Sequence, residues 1–128
     1  MDALIANAMG TCAEAGADAT LVRVPGSFEL GVASMRAAKS GKFDAIVALG
    51  VIIRGGTPHF EFVSNATTDA LNRVGLDTGI PVGFGILTCD DDAQAIARAG
   101  LPHSPENKGR EAAEAALVLA QTLRSLGW

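Results

Sequence analysis

Ala45-Ile46-Val47-Ala48-Leu49-Gly50-Val51-Ile52-Ile53-Arg54-Gly55-Gly56-Thr57-Pro58-His59-Phe60 decides how the rest of the chain is read. Its apolar run falls well short of the roughly 20 residues that cross a bilayer, so it reads as a strand buried on both faces, from Asp44 to Ile53. Gly-Gly-Thr-Pro then opens a helix. Gly55 and Gly56 let backbone approach a ligand, Thr57 is a candidate N-cap, and Pro58 suits a first helical position, where no N–H is needed. Free amides and the positive end of the helix dipole would face an anion such as phosphate. His59 falls within one turn of that anion, which suggests proton transfer on a phosphorylated metabolite.

Outward from this stretch, helices and strands alternate. A helix from Asp2 to about Gly16 carries Leu4, Ile5, Ala8, Met9 and Cys12 at helical spacing, and Thr20 to Val24 is β-branched and reads as a short strand. Ser27 is placed as the cap of a second helix ending near Ser40. The helix after Pro58 carries one stripe, Val63, Ala66, Thr67, Ala70, Leu71 and Val74. Pro81 to Leu87 is a third strand, and Gly83 and Gly85 imply a close neighbour on one face. A short helix runs from about Asp91 to Ala99, where Asp90, Asp91 and Asp92 complement the dipole, and a last helix runs from about Lys108 to Leu126. The alternation predicts parallel strands with helices on both faces, a three-layer α/β/α sandwich, in a single domain over residues 1–128. Ligands in such folds bind beyond the carboxyl ends of the strands, here at the loops Pro25–Glu29, Arg54–His59 and Thr88–Asp92.

Composition removes several classes of function. A net charge of -4 without a basic block, and few aromatic residues, argue against nucleic acid. No segment reads as a membrane span and the start lacks a basic leader, so the expectation is a cytoplasmic chain. Cys12 and Cys89 match no metal or redox spacing and are expected to be buried free thiols.

Three stretches, Val24-Pro25-Gly26-Ser27-Phe28-Glu29, Gly50 through Phe60, and Asn107-Lys108-Gly109-Arg110-Glu111-Ala112-Ala113, occur in an order that resembles the lumazine synthase family. The resemblance covers essentially the whole chain. It implies a flavodoxin-like sheet and the condensation of 5-amino-6-(D-ribitylamino)uracil with 3,4-dihydroxy-2-butanone 4-phosphate to 6,7-dimethyl-8-ribityllumazine, in riboflavin biosynthesis, with no metal or organic cofactor. His59 matches the family's catalytic histidine. Ser27, Phe28 and Glu29, with Val51, Ile52 and Ile53, match its pyrimidine and ribityl pocket; by position alone Ser27 is a cap, Phe28 is core and Glu29 favours the dipole. Gly56 and Thr57 match phosphate-binding positions. Arg98 and Lys108 match residues that bind the same phosphate and Phe84 one that closes the pyrimidine and ribityl pocket, all three from a neighbouring subunit, with Glu111 a partner for Lys108 or His59.

The resemblance therefore implies a homo-oligomer, a pentamer or an icosahedral shell of pentamers, with riboflavin synthase as a further partner. A monomer is expected to be inactive. The family begins with a strand ending in a Phe-Asn type turn, and this sequence starts after it, so the expected sheet lacks its first strand, between those near Leu21 and Val47. Pro105-Glu106 also departs from the family, which commonly has Gly before Asn-Lys-Gly. Two other readings stand beside the enzyme: a catalytically impaired shell or flavin-binding scaffold of the same fold, and an unrelated flavodoxin-type module with a flavin phosphate on Gly55-Gly56-Thr57.

Overall fold

A computed structural model describes Met1–Trp128 throughout. The elements are α1 (Asp2–Glu14), a single 3-10 turn (Ser27–Glu29), α2 (Leu30–Lys39), β1 (Ile46–Ile53), α3 (His59–Thr78), β2 (Val82–Cys89), α4 (Asp92–Arg98) and α5 (Lys108–Leu126). β1 and β2 run parallel, Ile46 opposite Val82 through Ile53 opposite Cys89. The crossover between them is α3.

Each face of this pair is covered, which makes three layers. Alternate residues of a strand point to opposite faces. Ala48 and Ile52 meet Leu71 of α3 and Ile86 of β2, with Leu30, Phe60, Val63 and Val82 around them. Val47 and Leu49 point the other way, towards Ala8, Cys12 and Ala113 of α1 and α5. Cys12 and Cys89 are buried and unpaired. The close neighbour expected at Gly83 is α5: a Cβ there would strike the main chain at Ala112. Helix and strand therefore approach more nearly than any side chain allows.

Two expectations need correction. The sheet has two strands where three are expected, because Thr20–Val24 is not a strand. Leu21 and Val22 are exposed, and no residue from Asp18 to Pro25 takes part in a main-chain hydrogen bond. β-branched composition fits a pleated surface, but a strand exists only against a partner, and β1 pairs with β2 alone. The second correction concerns Ser27, which lies inside the 3-10 turn, caps nothing, and precedes a helix that starts at Leu30.

Candidate active site

The turn after β1 is built as its composition suggests. Arg54 N–H donates to Cys89 O at 2.8 Å, extending the ladder one residue, after which Gly55, Gly56 and Thr57 leave it with amides that find no partner in the chain. Such unpaired N–H groups before a helix attract anions. α3 begins at His59 with Pro58 in the capping position, one residue later than the sequence suggests, and Thr57 Oγ1 accepts from His59 N–H at a long 3.4 Å. The His59 side chain stands exposed over the strand end.

A hollow of ≈ 310 Å³ opens beside it, lined by Ser27, Val51, Ile52, Ile53, Gly55, Thr57, His59, Phe60 and Val63. The tight crossing of the 3-10 turn over β1 brings Ser27 here: a Cβ on Gly50 would lie 2.6 Å from Ser27 Oγ. Phe28 and Glu29 do not line the hollow, and Phe28 is 65% exposed, so it is no core residue. Gly56 is exposed at the turn, outside the lining.

Phe84, Arg98 and Lys108 converge elsewhere. With Gly85, Ile86, Leu87 and Thr88 they line a second hollow of ≈ 270 Å³ along β2, which shares no residue with the first. Asn107 caps α5 by accepting from Arg110 N–H, so Lys108 is its first residue. Arg98 Nη1 donates to Gln94 O at 2.9 Å, and its Nε lies 3.5 Å from Glu106. Lys108 Nζ lies 3.1 Å from Glu106 and 3.3 Å from Glu111, and these carboxylates, Glu106 foremost, hold the ammonium above its ordinary range.

A bracing group escaped the sequence reading. The Arg54 guanidinium donates from Nε to Asp90 at 2.8 Å and from Nη1 to Glu61 through a short contact, and stacks 4.4 Å above the Phe60 ring. Arg54 thus ties the end of β1 to the first turn of α3 and to the loop after β2. Its hydrogen bonds hold both carboxyls below their usual range, while Asp90 and then Glu61 raise the guanidinium in return. Asp91 alone caps α4, accepting from Gln94 N–H at 2.9 Å, whereas Asp90 turns away to Arg54. The available signal was the position of Arg54 in the turn, directly before the glycines. No three His, Cys, Asp or Glu side chains stand close enough to hold a metal.

Parallel strands with helices on both faces define a flavodoxin-like α/β protein, a class whose small-molecule sites lie beyond the carboxyl ends of the strands, where polar groups gather here. Residues 1–124 match the family described as 6,7-dimethyl-8-ribityllumazine synthase. Similar proteins of that name occur in Leifsonia xyli subsp. xyli, 64% identical over 96% of this chain and 77% of its own length, and in Paenarthrobacter aurescens, 58% identical over 97% and 76%. A third, from Streptomyces avermitilis, is 56% identical over 98% of this chain and 78% of its own. The chain belongs to the 6,7-dimethyl-8-ribityllumazine synthase family, transferases of riboflavin biosynthesis.

Proposed function

We propose that this chain, folded as one domain, condenses 5-amino-6-(D-ribitylamino)uracil with 3,4-dihydroxy-2-butanone 4-phosphate to 6,7-dimethyl-8-ribityllumazine, releasing phosphate and water. The observation that carries the reading is the first hollow, where a titratable imidazole, a hydroxyl-bearing turn and the end of a buried strand meet beside unpaired amides. Val51, Ile52 and Ile53 offer main-chain groups to a pyrimidine edge, with Ser27 beside them, and the ribityl chain extends past this hollow towards Phe28 and Glu29 on the outer side of the turn. Gly56 and Thr57 face the phosphate. The amine of the pyrimidine adds to the ketone, loss of water gives an imine, phosphate leaves, and ring closure with loss of water completes the product. His59 moves protons in these steps, while the larger contribution is holding two reactants together.

The second hollow supports a site shared between copies. Arg98 and Lys108 bring to the second hollow two cations suited to the phosphate, with Phe84 beside them, whereas the lining of the His59 hollow holds no Lys or Arg. One copy supplies each half, in a closed ring such as a pentamer. No helix is long and apolar enough to cross a membrane; we propose the cytoplasm as the working place of the enzyme. Lumazine absorbance on mixing the substrates, against the uncatalysed background, tests the reading. His59→Ala is expected to slow turnover by about 100-fold, the lower end of what a positioned proton-transfer group contributes. A folded, assembled protein no faster than background would instead favour the scaffold reading.

A further inference from the structure

Arg98 and Lys108 do not wait bare for an anion. Glu106 lies between them, with Oε2 3.5 Å from Arg98 Nε and Oε1 3.1 Å from Lys108 Nζ. Its main chain is fixed from both sides: its N–H donates to Ala97 O at 3.1 Å, and its carbonyl accepts from Gly100 N–H at 3.0 Å. The side chain is held only by these two cations. It is 40% exposed, so the carboxylate can leave the two cations for water while the loop stays in place. With Glu111 on the same ammonium, two carboxylates balance two cations, and a phosphate arriving here meets a cluster of no net charge unless one carboxylate withdraws.

We propose that Glu106 is an internal competitor for phosphate: it positions Arg98 and Lys108 in the free protein, swings out when the phosphate of the substrate enters, and returns to help expel inorganic phosphate afterwards. This rests on the reading of the second hollow as the phosphate wall. Exposed ion pairs are weak, so exchange of one anion for another between the same cations is cheap in either direction. The sign of the effect separates competition from scaffolding. A residue that merely built the loop would weaken phosphate binding when changed, whereas a competitor strengthens it.

Inorganic phosphate is the probe, titrated by calorimetry into the assembled protein at pH 7 and constant ionic strength, for the unaltered chain, Glu106→Gln, Glu106→Ala and Arg98→Ala. Both Glu106 variants are expected to bind phosphate on the order of threefold to tenfold more tightly, the scale of two exposed pairs released. KM for the phosphorylated substrate is expected to fall with it, without a rise in kcat. Unchanged or weaker binding in both Glu106 variants, with Arg98→Ala losing phosphate, overturns the competitor role and leaves the phosphate wall standing. Phosphate binding indifferent to Arg98→Ala overturns both.

Discussion

Arg54 is held by two carboxylates and a ring face, and its substitution separates positioning from proton transfer. Because Arg54 lowers the pKa of Glu61 and Asp90 in the folded state, their contribution to stability is present in full above the ordinary carboxylate range, about pH 4 to 4.5. It is lost as pH falls through the depressed values. Arg54→Ala should therefore show a flatter decline of Tm between about pH 5 and pH 3 than the unaltered chain, measured by circular dichroism. Its kcat should also fall, since the His59 turn loses its brace, and Arg54→Lys should recover only part, because an ammonium cannot bridge two carboxylates in one plane. Equal Tm profiles for the two proteins would show that these pairs carry no stability. The sequence made His59 legible because helix-start chemistry is local. Arg54 was not, since Asp90, one of its partners, lies 36 positions away and reads locally as a helix-dipole residue.

At the scale of elements, the meeting of β1 with the 3-10 turn sets the floor of the first hollow. Gly50→Ala would drive a methyl against Ser27 Oγ, with Ile86 and Leu30 side chains 3.3 and 3.4 Å away. Crowding of this kind costs roughly 1–3 kcal/mol. The expected result is a lower denaturant midpoint and a raised KM for the pyrimidine; an unchanged KM would mean that the turn does not shape that pocket. α3 is anchored by Leu71, 1% exposed, and Leu71→Ala should cost about 2–5 kcal/mol. Helices with long periodic stripes were readable from the sequence, and α5 begins and ends where its pattern does. Thr20–Val24 was misread for a physical reason, since strand formation depends on a neighbour that local composition does not describe. Most of the first hollow is one stretch, Val51 to Val63, and was legible for that reason; only the approach of Ser27 from across β1 is a tertiary fact.

For the whole molecule, the telling fact is that the two sets of candidate residues line separate hollows on one chain. Phe84, Arg98 and Lys108 stand together, apart from His59. On the proposed reading, a complete site needs a contact that repeats head to tail around a ring, each copy giving one half to either neighbour. Exposed apolar side chains such as Val32, Phe62 and Leu76 on α2 and α3, with Ile96 and Val118 on α4 and α5, leave surface for such contacts. That the two groups would meet between copies came from the resemblance alone, because nothing in one chain's periodicity records the approach of another. The most direct measurement is complementation: His59→Ala and Arg98→Ala proteins, each nearly inactive alone, are unfolded together in equal amounts, refolded and assayed for lumazine. Random mixing around a ring leaves about a quarter of the sites with an intact half from each neighbour, so activity should return to about a quarter of the unaltered level. Mixed assemblies no more active than the separate variants would contradict a site shared between copies.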